Sequence, residues 1–317
     1  MLENETLAII IPAYKRDFLA ETLQSLVNQT DHHFHVYIGD DHSPYHLKEI
    51  VDSFAQLLPI TYVCFPENLG GTDLVAQWKR CMNLLNGEKY FCFFSDDDLM
   101  EPHCVEAFYQ ALREGKQHHV FHFDIDIIDE SGKLIYSCRE YPEELSSSRF
   151  FEELYAYRID ARMPEFIFET EHFYRCGGFV EFDLAFRSDN ATVMTCAADK
   201  GIYTLAAAQA KVRWRDSGQN VSSCRNERYE IRYRKVVATM KFFSWVADFY
   251  VANQLKKPFK RTQRRRLVLS EIMNLYPELD LRGLTQVLRM FRPVRTNLFR
   301  FGYYWINLWL KTAKYKK

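Results

Sequence analysis

Over the first 110 residues, apolar positions switch repeatedly between an unbroken run and a helical period. Residues 7–11 form a continuous β-rich apolar run, and residues 18–27 then place Leu19, Leu23, Leu26 and Val27 at helical spacing. The couple recurs as residues 34–38 with 47–58, 60–65 with 74–85, and 90–94 with 105–112. Four strand-helix units in succession predict an α/β protein with a doubly wound, mostly parallel sheet and right-handed crossovers. In such a sheet ligands bind beyond the carboxyl ends of the strands. Residues 119–128 predict a fifth strand, with Phe121, Phe123, Ile125 and Ile127 alternating against His122, Asp124 and Asp126 before a turn at 129–132. The pattern is less regular from Ser146 to Arg215. From Asn226 onward it becomes long, basic and helical, broken at Pro258, Pro277 and Pro293. A boundary is expected within 216–226, separating a first domain, 1–220, from a basic, aromatic-rich helical region, 221–317.

Charge sharpens this division. Residues 1–224 carry 19 Lys and Arg against 36 Asp and Glu, a net of −17, whereas residues 225–317 carry 22 against 6, a net of +16. A basic tail on an acidic body points to a polyanionic partner, to phospholipid headgroups or nucleic acid, or to neutralisation of its own body. The acidic body makes nucleic acid the weaker choice. The eight cysteines include no C-x-x-C pair and no His at zinc-finger spacing, so they read as reduced core thiols. The N-terminus, Met1-Leu2-Glu3-Asn4-Glu5, lacks the basic start of an export signal. The aromatic stretches 242–251 and 301–310 fall short of the roughly 18 to 20 residues of a spanning helix. A cytoplasmic protein is expected, peripheral on the inner face of the cell membrane.

The predicted strand ends concentrate the candidate chemistry. The first strand empties into Pro12-Ala13-Tyr14-Lys15-Arg16, the second into Asp40-Asp41-His42-Ser43 and the fourth into Ser95-Asp96-Asp97-Asp98. Three adjacent carboxylates repel one another unless neutralised, which a divalent cation bridging to phosphate does. A solvated acidic turn is the alternative. Neither G-x-G-x-x-G nor G-x-x-x-x-G-K-[ST] is present. Asn68-Leu69-Gly70-Gly71-Thr72 offers two glycines for close approach of a ligand, or for a simple turn, with Thr72 as a possible helix cap.

Together with Gln29-Thr30 and Glu67, these segments resemble the family 2 glycosyltransferases of GT-A fold, particularly bacterial members that build surface polysaccharide and lipopolysaccharide. The resemblance implies that Pro12 and Tyr14 line the nucleotide base pocket, that Asp41 binds the base, and that Arg16 and Asn68 belong to the donor pocket. Asp96, Asp97 and Asp98 correspond to the D-x-D element, with Asp96 on the ribose side and Asp98 holding Mg²⁺ or Mn²⁺, Asp96 being the second candidate ligand. Gly177-Gly178-Phe179 and the following Arg187-Ser188-Asp189 resemble the G-G-F segment and its acidic residue, which makes Asp189 the catalytic base; Ser188 stands where Glu is more frequent. Arg215 and the residues to Ser222 resemble a loop near the diphosphate, with Ser217 where His is frequent.

The implied reaction is inverting transfer of a hexosyl group from a nucleotide-sugar, UDP-linked, to the hydroxyl of a glycan or lipid-linked glycan acceptor. The metal would act as Lewis acid and one carboxylate as base. A nucleotidyltransferase, recognised by pyrophosphate release, and a non-enzymatic polyanion-binding protein are the other classes considered. Within the tail, Arg295, Arg300, Lys311, Lys314, Lys316 and Lys317 interleave with Phe299, Phe301, Tyr303, Tyr304, Trp305 and Trp309, as in a helix seated in anionic headgroups.

Overall fold

A computed structural model describes residues 6–205, 207, 210–217 and 228–256. The chain divides into two compact units, Met1–Asn226 and Glu227–Lys317.

The first unit opens with the predicted strand-helix units: β1 (Leu7–Ala13), α1 (Leu19–Val27), β2 (Phe34–Asp40), α2 (Leu47–Phe54), β3 (Ile60–Cys64), α3 (Leu74–Met82) and β4 (Tyr90–Phe93). A two-residue strand, β5 (Leu99–Met100), intervenes before α4 (Cys104–Arg113). There follow β6 (Val120–His122), β7 (Asp124–Ile128), β8 (Leu134–Ser137), β9 (Glu144–Leu145), α5 (Ser147–Tyr155), β10 (Phe166–Glu169), α6 (Thr170–Arg175), α7 (Ser188–Cys196), β11 (Ile202–Thr204) and β12 (Lys211–Arg215).

The large sheet runs β3-β2-β1-β4-β10-β6-β11-β9 and a smaller one runs β5-β12-β7-β8. β1 pairs in parallel with both β2 and β4, and β2 with β3, as predicted. β10 is antiparallel to its neighbours β4 and β6, so β6 points the same way as β4. The central strands are unbroken apolar runs because both faces are covered; six of the seven β1 residues are buried. α1 turns Leu19, Leu23 and Leu26 into that core. The buried Gln29 fixes the end of α1: its amide donates to the carbonyls of Ser25, Met100 and Glu101 and accepts the N–H of Val105.

Two local expectations are corrected. The predicted fifth strand is two strands in two sheets: the chain changes sheets at Phe123, whose N–H donates to the Glu165 carbonyl (2.8 Å). Residues 120–125 are all buried, so their alternation did not mark one half-exposed strand. Asp73, not Thr72, caps α3, accepting the Ala76 N–H at 2.9 Å.

Among the described residues of the second unit is one helix, α8 (Tyr229–Ala252). No helix among the described residues is long and apolar enough to cross a membrane. The tail segment 293–317 and residues 218–222 lie outside the described residues.

Candidate active site

The parallel register places the ends of β1, β2 and β4 at one edge of the large sheet, with Pro12 opposite Gly39 and Ala13 opposite Asp40. The acidic loop after β4 lies there, with Asp96, Asp97 and Asp98 all buried. Asp96 Oδ2 accepts the backbone N–H groups of Tyr14 (2.8 Å) and Lys15 (2.7 Å). The Lys15 ammonium bonds Asp97 Oδ2 and lies 3.4 Å from Asp96 Oδ1. Burial works against that ammonium, but the three carboxylates outweigh it and hold its pKa above the ordinary value. The block is thus partly neutralised by the chain's own cation. Lys15 was visible as part of the basic loop after β1, but not as the counter-ion of the loop beside it.

Asp98 is set apart. Its Oδ1 accepts the backbone N–H of Arg215 (2.8 Å) and its carbonyl the hydroxyl of Thr22 (2.9 Å). Its Oδ2 is buried without a hydrogen-bond partner. Burial, reinforced by Asp97, pushes its pKa up to about 8. An orphaned oxygen within an all-oxygen set suits a hard divalent cation.

Arg215, expected in the donor pocket, is enclosed by the chain's own acceptors in this structure. Its side chain is fully buried, donating from Nε to the Asp97 carbonyl (2.8 Å), from Nη1 to the Glu130 carbonyl and from Nη2 to Glu21 (2.7 Å). A guanidinium committed to those acceptors, over the ring of Phe18, clamps the acidic loop to β12. Ser217, where His was the expected residue, has its Oγ 3.4 Å from Asp97 Oδ2.

At the end of β2, Asp41 holds the β3–α3 loop. Its Oδ1 accepts the Leu69 N–H (2.7 Å) and pairs with Arg80; its Oδ2 accepts the Gly70 N–H (2.8 Å) and the Asn68 amide (2.9 Å). A Cβ on Gly70 would lie 2.6 Å from Asp41 Oδ2, so that glycine serves Asp41. Arg80 carried no sequence signal. Tyr14 is exposed with its ring edge-on to Tyr45, Pro12 is half-buried beside it, and Arg16 donates to the carbonyl of Tyr45 (2.6 Å).

The second acidic centre reaches this edge through Phe179, whose ring packs on Phe93 at the end of β4 (5.3 Å) and on Trp78 of α3 (5.4 Å). Val180 then donates its N–H to Thr192, and Phe182 donates its own to Ser188, tying the segment to α7. The buried Ser188 hydroxyl accounts for serine at that position. Leu184, Ala185 and Arg187 all adopt positive φ (59°, 53° and 77°), a strained approach to the helix. Asp189 sits in the first turn of α7, not at its cap, which is Arg187. Burial raises its pKa to about 6, with the Asn190 N–H and Arg187 pulling the other way. Glu165 and Arg162 also act on it electrostatically. Glu165 is fully buried and pushed well above the carboxylate range, and its Oε2 lies 3.4 Å from Nε2 of His122, which burial lowers to about 3. The burial of Glu165 and His122 was not anticipated, because nothing in the local sequence distinguishes them from ordinary surface residues.

Residues 8–174 match the family described as glycosyl transferase family 2. Among solved structures, S. aureus TarS 1–349 in complex with UDP-GlcNAc aligns with a TM-score of 0.54 at 16% identity, covering 90% of this chain and 81% of that one. S. aureus TarS 1–349 gives 0.52 at 15%, covering 86% and 81%, and another S. aureus TarS structure 0.51 at 15%, covering 88% and 44%. No curated protein matches the chain. Sheet order and structural likeness define a GT-A protein. With more than half of its length matched by the family, the chain belongs to glycosyltransferase family 2.

Proposed function

We propose that this glycosyltransferase moves a hexosyl group from a uridine nucleotide-sugar to an acceptor hydroxyl, with inversion and with a divalent metal, in bacterial surface-glycan synthesis at the inner face of the membrane. The observation that carries this reading is the buried Asp96–Asp98 loop at the carboxyl end of β4, facing Lys15 from β1. The TarS complex with UDP-GlcNAc supports the choice of nucleotide.

In this reading the exposed ring of Tyr14 and the neighbouring Pro12 flank the base, with Arg16 at the rim. Asp41 and Asn68 shape the pocket wall; a direct bond from Asp41 to the base requires Arg80 to swing away. Asp96 faces the ribose and Asp97 anchors Lys15. Asp98, with Asp96 as the second carboxylate, holds Mg²⁺ or Mn²⁺, which when bound neutralises the leaving diphosphate. Asp189 takes the acceptor proton as the hydroxyl attacks; a pKa of about 6 leaves it ionised yet basic near neutrality. One base and one displacement give inversion. A glycan or lipid-linked glycan is the acceptor, and the basic tail is the anionic-membrane contact.

Calorimetry with UDP and UDP-sugars, with and without Mn²⁺, tests the reading. Metal should tighten binding in the wild type, and Asp98→Asn should abolish that enhancement while keeping the fold. An unchanged metal enhancement in Asp98→Asn removes Asp98 as ligand; absence of nucleotide binding in the presence of Mn²⁺ refutes the donor assignment.

A further inference from the structure

Seven cysteines are free among the described residues, five of them buried. Cys176, partly exposed at the end of α6, touches a second thiol: the S–H of Cys196, the last residue of α7, donates to it. We propose that these two cysteines are a peroxide-sensitive pair, in which Cys176 is oxidised first and Cys196 then closes a disulfide between the ends of α6 and α7.

Two contacts fix the tautomer of the neighbouring His172. Its Nδ1 lies 3.4 Å from Nη2 of Arg175, a group that only donates, so Nδ1 accepts. Its Nε2 lies 3.0 Å from the Cys196 carbonyl, which only accepts, so Nε2 carries the hydrogen. That same Nε2 lies 3.3 Å from Cys176 Sγ, so the imidazole presents an N–H to the sulfur. His119 stacks on His172 with centroids 3.8 Å apart and keeps the ring in place. As a thiol, Cys176 has the Thr195 carbonyl as acceptor only at 3.9 Å. As a thiolate it accepts from both Cys196 and His172, and hydrogen bonds to the charged form favour that form. The Cys196 bond leads in holding the Cys176 pKa below the ordinary thiol value, helped by His172 and Arg175 and opposed by burial and Asp199. The same bond, with burial, raises that of Cys196, which keeps its proton.

Exposure assigns the order of events. Solvent reaches Cys176, whereas Cys196 is 1% exposed and reacts only through its neighbour. The Cys176 thiolate attacks one oxygen of hydrogen peroxide: an S–O bond forms, the O–O bond breaks, and the hydroxide that leaves takes a proton from solvent. The Cys196 sulfur then attacks the sulfenic sulfur of Cys176. An S–S bond forms, the S–O bond breaks, and the departing hydroxide takes the Cys196 proton. Two electrons pass from the thiols to peroxide, which ends as two waters. The bond closes the segment 177–195, which includes Leu184, Ala185 and Arg187 at positive φ. The proposal is independent of the donor-site reading, since it uses none of that site's residues. Cys64 is an internal reference: it is exposed, but burial and Asp40 raise its pKa, so less of it is thiolate.

The test is stoichiometric hydrogen peroxide on the reduced, folded, full-length chain, with remaining thiols blocked by N-ethylmaleimide before digestion. Trypsin yields the peptides Cys176–Arg187 and Ser188–Lys200, each with one cysteine. They should appear joined, two hydrogens lighter than their sum, and separate again with dithiothreitol. Joining should precede any loss of the Cys64 thiol. Cys196→Ser should stop at the sulfenic acid, caught on Cys176 by dimedone, and Cys176→Ser should leave the Ser188–Lys200 peptide unoxidised. The proposal is overturned by absence of the joined peptide in the wild type, by a partner for Cys176 other than Cys196, or by oxidation of Cys64 ahead of the pair. An unmodified Cys176 in Cys196→Ser overturns it equally.

Discussion

Replacing Asp189 by Asn should remove activity and stabilise the protein at the same time. Two effects oppose each other at this carboxylate. Its place in the first turn of α7 favours the anion by about 0.3 to 1 kcal/mol, and the Asn190 N–H donates to it at 2.8 Å. Burial acts in the other direction and wins, raising the pKa from 3.8 to about 6. At about 1.36 kcal/mol per pH unit this disfavours the ionised form by on the order of 3 kcal/mol. The side chain is half-buried, so solvent returns part of that and about 1 to 3 kcal/mol remains. Because the folded pKa exceeds the unfolded one, protonation favours folding. That contribution is fully present below about pH 3.8 and is lost as pH rises through about 6.

The neutral amide resembles the protonated acid. Asp189→Asn should therefore match the wild type in acid and exceed it in stability by about 1 to 3 kcal/mol above pH 7, read from urea unfolding across pH. Turnover should fall about 10²- to 10⁴-fold with donor affinity unchanged. In the wild type, turnover should drop as pH falls through about 6, while donor binding stays level over the same limb. A variant less stable than wild type at pH 7.5, with near-normal turnover, refutes the reasoning. Asp189 would then be a helix-terminus residue, and the search for the base would pass to Asp183 or Glu181.

Two further outcomes are expected. Arg215→Met should destabilise the protein by about 2 to 5 kcal/mol in urea unfolding, because it leaves the Asp97 and Glu130 carbonyls without their buried donor; a change below about 0.5 kcal/mol contradicts the clamp. Truncation after Phe291 should release the chain from anionic vesicles at low salt, since Lys and Arg in such a segment contribute about 1 kcal/mol each; a full-length chain that fails to sediment with those vesicles contradicts the membrane reading.

The first half of the large sheet was legible because strands covered on both faces are unbroken apolar runs, as β1, β4 and most of β2 are, while the partly exposed edge strand β3 is still marked by its β-branched and aromatic residues. The later topology was not. β10 inserts antiparallel between β4 and β6, and no local pattern in Phe166–Glu169 distinguishes an inserted strand from a consecutive one. At the site, the position of Asp96–Asp98 followed from the strand end before it. Arg215 did not: a basic residue near an expected diphosphate looks the same whether it faces a ligand or is enclosed by the carbonyls of Asp97 and Glu130.

On the proposed function, the charge arrangement also bears on how donor and cation would arrive. Asp96 and Asp97 share the Lys15 ammonium, while Asp98 is met by the Arg215 N–H and the Ser95 side chain, and burial reinforced by Asp97 pushes its pKa up to about 8. Above about pH 8, where Asp98 ionises, a diphosphate entering beside it would meet like charge. At about 4 Å and an effective dielectric of 20, each such pair opposes binding by about 4 kcal/mol, on the order of a thousandfold in affinity. Arg215 cannot relieve this, because its guanidinium is committed to the loop carbonyls and Glu21. Lys15 cannot either without abandoning Asp97. On the proposed function, a cation on Asp98 Oδ2 would displace the proton and offset the repulsion, so donor and metal are expected to bind with mutual dependence, and calorimetry showing equal UDP affinity with and without Mn²⁺ contradicts this.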